Sequence, residues 1–218
     1  QMTGQVFYSV PLSKIKDLSK GTGFLGYKED DCEAKVIALI QGDQLVEVVT
    51  AGEGVTVVLD RTPFYGESGG QTGDTGVLES NGSQVRITDT KKNNDFILHL
   101  GTVTKGDIRK GSLVHARIDI GRRNSIRRNH SATHILHYVL RKVIGQHAEQ
   151  SGSLVAPDRL RFDFHHFSAL TKEEIVRIED MVNEIILENV PVAVKELSIQ
   201  EARNAGAIAL FGEKYGEL

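Results

Sequence analysis

The segment RRNHSATHILH, residues 127–137, contains two histidines, His130 and His134, that are four residues apart. In an α-helix, side chains at positions i and i+4 lie one above the other on the same face. His137 falls on that face as well, and the following apolar residues fall on the opposite side: Ile135, Leu136, Val139, Leu140 and Val143. The periodicity predicts a helix from Ile120 to about Val143 that could be broken near Asn129.

The paired histidines suggest a metal or substrate pocket. Neutral imidazole is a common zinc ligand, and two imidazoles on one helix supply half of a tetrahedral site. The alternative is a pair of ordinary histidines, which is the commoner outcome for an isolated pair of this spacing. The segment lacks the glutamate of His-Glu-x-x-His, which disfavours metalloprotease chemistry. A single cysteine, Cys32, excludes an internal disulfide and a cysteine-rich zinc cluster.

Four arginines, at positions 122, 123, 127 and 128, crowd the N-terminal half of the predicted helix. Cations there oppose the helix dipole and repel one another, which hints at an anionic partner such as a nucleic-acid backbone. A solvated basic face is the equally favoured alternative. The formal net charge of −3 argues against general polyanion binding.

Residues 1–30 are weakly patterned and are interpreted as a lead-in segment. Residues 31–119 predict short strands with turn signals at Gly42-Asp43 and Asn81-Gly82. The predicted strands are Ala34–Gln41, Gln44–Thr50, Val55–Leu59, Gly76–Glu79, Val85–Thr88, Phe96–Leu100 and Leu113–Ile118. This spacing is typical of a small antiparallel barrel or a sandwich.

A glycine-rich segment, DRTPFYGESGGQTGDTG at residues 60–76, interrupts the strands. Such a segment lets backbone N–H groups approach a phosphate or a small substrate. A long turn without a ligand is the favoured alternative on glycine content alone. The segment has no Lys-Ser/Thr pair and no following helix, so it is not a nucleotide phosphate loop.

The last hundred residues predict an α+β unit. Gly145 ends the first helix, and Gly152–Val155 and Leu160–Phe164 are predicted strands. Thr171 caps a helix that runs to about Glu188, and Ser198 caps a short one, each with a glutamate at the capping-box position. Between them, Val190–Leu197 is predicted to be a strand. A small apolar run at 205–211 and a turn at 212–216 complete the chain.

Several motifs occur together in one order. They are RNHSATH at 128–134, FYGESGGQ at 64–71, Gln150 with GSLV at 152–155, LRFDF at 160–164 and ALFGEKYG at 209–216. With these motifs the chain resembles, over roughly residues 24–218, the editing region of alanyl-tRNA synthetase and the freestanding alanyl-tRNA deacylases. Each motif alone is weak, but the combination is very specific.

The resemblance implies an α+β fold: a small antiparallel β-barrel carrying the glycine-rich motif, then an α+β editing core similar to the second N-terminal domain of threonyl-tRNA synthetase. The expected domains are a lead-in at 1–30, the barrel at 31–119 and the editing core at 120–218, truncated at its C-terminus. The implied reaction is hydrolysis of the ester that joins serine or glycine to tRNA for alanine.

The resemblance also assigns roles to residues. Zinc is expected on His130 and His134, catalytic or substrate-closing roles fall to Gln150, Glu67 and Gln71, and substrate or tRNA contacts fall to Gly69, Gly70, Arg127, Arg128 and Asp163. The expected partner is mischarged tRNA for alanine, in the cytoplasm, with no membrane and no obligate protein partner.

One departure from the family pattern concerns the metal. The Cys-x-x-x-His pair that completes the zinc site in the family is absent from this chain, because Cys32 lies on the barrel side without a histidine four residues on. The remaining ligands are expected beyond residue 218. The alternative is therefore a non-catalytic tRNA-binding fragment.

Overall fold

A computed structural model describes residue 15 and residues 19–206, and the chain divides into two compact units. Unit 1 comprises residues 1–130 and 153–161, and unit 2 comprises residues 131–152 and 162–218. The mixture of strands and helices confirms the predicted α+β class. The predicted domain limits at residues 30 and 119 stay predictions.

Most of unit 1 is built from short antiparallel strands. In chain order they are β1 (Gly23–Phe24), β2 (Asp31–Gln41), β3 (Gln44–Val46), β4 (Val48–Thr50), β5 (Gly54–Leu59), β6 (Arg61–Thr62), β7 (Gly76–Ser80), β8 (Ser83–Asn93), β9 (Phe96–Lys105), β10 (Asp107–Arg109) and β11 (Leu113–Ile118). Strands β1 and β6 form a small parallel pair, and β4 pairs with β10.

Six strands close into a barrel in the order β11-β7-β8-β9-β5-β2, because β11 pairs with both β7 and β2. Strand β3 pairs with β2 outside this ring. Closure removes the sheet edges, which a sandwich would retain, so the barrel interpretation is confirmed. The interior is filled by alternate residues of the strands, as in β11, where Val114, Ala116 and Ile118 are buried.

The turn chemistry of the barrel follows the sequence. Gly42-Asp43 joins β2 to β3, and Asn81-Gly82 joins β7 to β8 with a positive φ at the glycine. The run Gln44–Thr50 was predicted as one strand, but it forms β3 and β4. The two halves have different neighbours, since β3 pairs with β2 and β4 pairs with β10.

The first helix, α1 (Ile120–Val143), is continuous, so the predicted break near Asn129 is wrong. Its residues up to His130 belong to unit 1 and the rest to unit 2. Two strands follow, β12 (Gln150–Val155) and β13 (Leu160–Phe164), then α2 (Lys172–Glu188) and α3 (Ile199–Asn204). The core of unit 2 gathers apolar residues from the C-terminal half of α1, from Phe162 and Phe164, and from α2.

Both predicted capping boxes are present: the Thr171 side chain accepts from Glu174 N–H at the start of α2, and Ser198 does the same with Glu201 at α3. The predicted strand at Val190–Leu197 is wrong. Its alternating valines at 190, 192 and 194 are all exposed, and within the described chain this segment pairs with no strand. The predicted run at 205–211 and the turn at 212–216 lie largely or wholly outside the described residues.

No helix in the described part of the chain is both long enough and apolar enough to cross a membrane.

Candidate functional site

The glycine-rich segment between β6 and β7 is fixed by backbone hydrogen bonds on two sides. Glu67 N–H donates to the Thr90 carbonyl of β8 at 2.8 Å. On the other side, Val155 N–H donates to the Gly70 carbonyl at 2.8 Å, and Thr72 N–H donates to the Val155 carbonyl at 3.0 Å. The segment is therefore an anchored, tightly curved loop that lies against β8 and the end of β12.

Two of the four clustered arginines hold this loop. Arg122 donates from Nη1 to the Gly73 carbonyl at 2.7 Å. Arg123 is buried, and its Nε lies 2.9 Å from each carboxylate oxygen of Asp74, with Nη2 also bonded to that carboxylate. These two guanidinium groups bind carbonyls and a carboxylate of the loop, all within unit 1. Two of the four clustered positive charges therefore have partners in the chain itself and do not require an anionic partner.

The other two arginines lie on the exposed side of α1. Arg127 donates to Asn124 at 3.1 Å and forms an ion pair with Asp30 at 3.4 Å. Arg128 donates to the Ser125 hydroxyl at 2.9 Å. Exposed ion pairs such as the one between Arg127 and Asp30 contribute little to stability.

His130 meets the glycine-rich loop through its ring. Its Nδ1 lies 2.6 Å from Oε1 of Gln71, whose residue is only 8% exposed. An amide oxygen can only accept a hydrogen bond, so Nδ1 of His130 donates the hydrogen in this contact. The structure therefore brings together two of the predicted site residues, one from the loop and one from α1.

The other predicted loop residues are placed differently. Glu67 forms an ion pair with Lys91, which also pairs with Asp89 at 2.9 Å. Gly69 and Gly70 both have positive φ values, +59° and +82°. Their backbone turns the chain at the point where Ser68 and Gln71 exchange backbone hydrogen bonds. Lys91 is a neighbour of Glu67 that the sequence did not indicate, because it lies 24 residues away on β8.

The remaining predicted residues lie in unit 2. His134 is exposed on α1, one turn after His130. Gln150 is half-buried at the first position of β12, and Asp163 on β13 lies against Gly152, where an added Cβ would meet its carboxylate oxygen at 2.8 Å. His137 is a structural residue: it is buried beside Phe162 and donates from Nε2 to the Ala148 carbonyl at 3.2 Å, and burial lowers its pKa.

Residues 2–122, more than half of the chain, match the family described as tRNA synthetases class II (A). The chain belongs to this family. It is 55% identical over 203 residues to an alanine–tRNA ligase of Acetivibrio thermocellus, 49% identical over 204 residues to one of Chelativorans sp., and 50% identical over 204 residues to one of Rhodopseudomonas palustris. Each match covers 93% of this chain and 23% of the relative, so the chain spans about a quarter of the length of these ligases.

The donors in this class II synthetase chain fit part of a zinc site. Among the described residues, no group of three or more His, Cys, Asp or Glu side chains could hold a metal ion. His130 and His134 nevertheless occupy i and i+4 of one continuous helix. The contact between His130 Nδ1 and Gln71 also matches a recurring feature of zinc sites, in which the second ring nitrogen of a ligating histidine donates to an oxygen.

The two adjacent glycines of the glycine-rich loop lead to a prediction about stability. Gly69 and Gly70 share the left-handed backbone, but an added Cβ at Gly69 meets nothing within 4 Å, whereas one at Gly70 meets the Ser153 carbonyl oxygen at 2.6 Å. Gly70→Ala is expected to reduce the free energy of unfolding by about 1–3 kcal/mol more than Gly69→Ala, which serves as its matched control. Urea unfolding of both variants measures the difference, and equal stabilities would contradict it.

Proposed function

We propose that this chain is an editing segment of an alanine–tRNA ligase and hydrolyses the ester between serine or glycine and tRNA for alanine, with zinc on His130 and His134. The family membership and the ligase relatives support the tRNA partner. The observation that carries the proposal is the contact between His130 Nδ1 and Gln71, with His134 one helical turn further on. The editing core is proposed to be similar to the second N-terminal domain of threonyl-tRNA synthetase.

The substrate class follows from the limits of selectivity. A synthetic pocket shaped for alanine cannot strongly reject glycine, which is smaller, or serine, which adds one hydroxyl group. A second site that hydrolyses the wrong ester corrects the error after transfer. Water adds to the ester carbonyl, the bond to the ribose oxygen breaks, and the products are the free amino acid and the tRNA with its terminal hydroxyl restored.

The chain's own residues divide the work of this site. His130 and His134 hold the metal, which when bound supplies polarisation of a water molecule or of the ester carbonyl. Gln71, buried in the anchored loop, lies beside the aminoacyl group and helps to enclose it. The Gly69-Gly70 backbone and Glu67 close over the aminoacyl group, Gln150 positions water or substrate, and Asp163 forms part of the wall. Arg127 and Arg128 bind the phosphate backbone of the tRNA.

The test compares this chain with a version extended at its C-terminus, because two of the expected zinc ligands are proposed to follow residue 218. The extended protein is expected to bind one zinc ion and to release serine and glycine from tRNA for alanine. Zinc is measured by plasma emission and hydrolysis by loss of radiolabelled amino acid. An extended protein that binds zinc and spares both esters would disprove the deacylase function.

Removal of one histidine tests the ligand assignment. His134→Ala in the extended protein is expected to lose zinc and deacylation together, because the metal then loses one of its protein ligands. The matched control is His115→Ala, a partly exposed barrel histidine that pairs with Glu33 and Asp31, and it is expected to keep both. Unchanged zinc stoichiometry in His134→Ala would defeat the assignment.

A second function, tRNA binding without hydrolysis, is favoured by the two exposed guanidinium groups of Arg127 and Arg128. In that case the extended protein binds tRNA for alanine with an affinity that falls steeply with salt, and mischarged tRNA is bound but not deacylated. Arg127→Gln with Arg128→Gln weakens binding in either case, so only the hydrolysis assay separates the two functions.

A further inference from the structure

Gln71 is a buried residue in an anchored part of the glycine-rich loop. It is 8% exposed, and its backbone exchanges hydrogen bonds with Ser68 at 3.0 and 3.3 Å. Its two neighbours in the chain are tied to a single residue, since the Gly70 carbonyl accepts from Val155 N–H and Thr72 N–H donates to the Val155 carbonyl. These bonds fix the backbone of Gln71, and burial restricts its side chain, whose amide oxygen lies 2.6 Å from Nδ1 of His130.

The helix is tied to the same short segment as the loop. Asn129, next to His130, donates from Nδ2 to the carbonyl of Ala156 at 2.7 Å. Val155 and Ala156 are both buried, and they bond to the loop on one side and to Asn129 of the helix on the other. The backbones that carry Gln71 and His130 are thus joined through one short segment, and their side chains meet at 2.6 Å.

We propose that Gln71 is a positioning residue that accepts the Nδ1 hydrogen of His130 and so selects the ring tautomer whose Nε2 lone pair can bind zinc. This inference rests on the proposed function, and it replaces a direct catalytic role of Gln71 with one exerted through His130. Without the acceptor, a neutral histidine is free to carry its hydrogen on Nε2, and that form cannot use Nε2 as a ligand.

The first experiment separates the acceptor from the bulk of the side chain. In the C-terminally extended protein, Gln71→Met keeps the size and removes the acceptor, and zinc affinity is expected to fall 10–100-fold. Gln71→Glu keeps an oxygen acceptor and is expected to bind zinc at least as tightly as the parent. The matched control is Gln41→Met, where a partly exposed amide on β2 donates to the Gly54 carbonyl, and its zinc affinity is expected to stay unchanged.

The second experiment needs neither metal nor substrate. In this chain labelled with ¹⁵N, long-range correlation spectra report which ring nitrogen of neutral His130 carries the hydrogen. The Nδ1–H form is expected to dominate in the parent and in Gln71→Glu, and the Nε2–H form is expected to rise in Gln71→Met. Backbone amide spectra of each variant show whether the fold is kept.

The outcomes distinguish this inference from the function on which it rests. If Gln71→Met binds zinc as tightly as the parent, or if Gln71→Glu weakens binding as much as Gln71→Met does, the inference is overturned while the deacylase proposal stands. A dominant Nε2–H tautomer of His130 in the folded parent chain also overturns it. If the parent shows the Nδ1–H form but the extended protein binds no zinc, the metal-dependent function fails, and with it the role of this contact.

Discussion

Arg123→Met is expected to lower the free energy of unfolding of unit 1 by roughly 3–5 kcal/mol, because it leaves a buried carboxylate without its partner. The Arg123 and Asp74 side chains are almost completely buried. The guanidinium also donates to the carbonyls of Gly26 at 3.0 Å and Pro63 at 2.8 Å. One side chain therefore joins the start of α1 to the glycine-rich segment, through Asp74 and Pro63, and to the turn at Gly26.

The carboxylate has additional bonds that make its burial tolerable. Asp74 Oδ2 accepts from Tyr65 N–H at 2.7 Å, and the Asp74 carbonyl accepts from the Thr90 hydroxyl at 2.8 Å. Replacing Arg123 leaves these two hydrogen bonds in place, but the negative charge of Asp74 is then no longer neutralised. Arg123→Met combined with Asp74→Asn is expected to be less destabilised than the sum of the single variants, because no buried charge then remains.

Urea unfolding followed by circular dichroism measures these changes, since the chain has no tryptophan. Arg117→Met is the matched control: it breaks an ion pair with Glu79 at 3.5 Å in which both side chains are about half exposed, and it should cost no more than about 1 kcal/mol. If Arg123→Met were as stable as Arg117→Met, the buried pair would not be the anchor of the loop.

Acid is expected to destabilise the barrel through His99, which is fully buried on β9. Its Nδ1 donates to the Val57 carbonyl at 2.9 Å, so its Nε2 accepts from the Thr62 hydroxyl at 2.8 Å. Burial lowers the pKa of His99 from 6.5 to about 4, outweighing the bond to Val57. The unfolded chain therefore takes up a proton at a higher pH than the folded chain does.

The direction of the effect follows from that difference. The contribution of neutral His99 to stability is fully present above pH 6.5 and is lost as the pH falls towards and through about 4. The loss between pH 7 and pH 4 is about 3 kcal/mol. His99→Gln cannot be protonated, so its stability is expected to fall by about 3 kcal/mol less than that of the parent over the same range.

His99→Gln also loses a native hydrogen bond, so the comparison uses the change with pH and not the stability at one pH. A second measurement avoids the variant altogether. The ring carbon and proton shifts of His99 in the folded parent are expected to stay those of a neutral imidazole at pH 5.5. Titration of His99 near pH 6.5 in the folded chain would contradict the prediction.

Local patterns predicted much of the fold. The capping boxes at Thr171 and Ser198 and the two-residue turns at Gly42 and Asn81 each depend on neighbours within a few residues, and all are present. The alternation of apolar and polar residues in β11 likewise predicts which of its side chains are buried. Predictions failed where the outcome depends on what lies beside a segment, as with the exposed valines of 190–194 and the two-strand division of Gln44–Thr50.

The sequence predicted which residues belong to the candidate site, but it did not predict which of them are in contact. The motifs indicated both His130 and Gln71, but their contact joins positions 59 residues apart, and no local periodicity reports it. Arg123 and Asp74 were visible only as a helix charge and a loop carboxylate, 49 residues apart. Pairs of this kind are formed by closure of the barrel and the path of α1, and that three-dimensional information is not contained in spacing along the chain.

The division of the chain into two units has a practical meaning for anyone who wishes to dissect this protein. The backbone passes from one unit to the other after residues 130, 152 and 161, so a single cut cannot yield both units whole. A polypeptide that stops at residue 119 or 130 lacks Val155, and the carbonyl of Gly70 and the amide of Thr72 then lose their bonding partner. Unit 1 is therefore compact but is not one continuous stretch of chain. A minimal version of it needs residues 153–161 joined by a short linker to the segment that ends at residue 130.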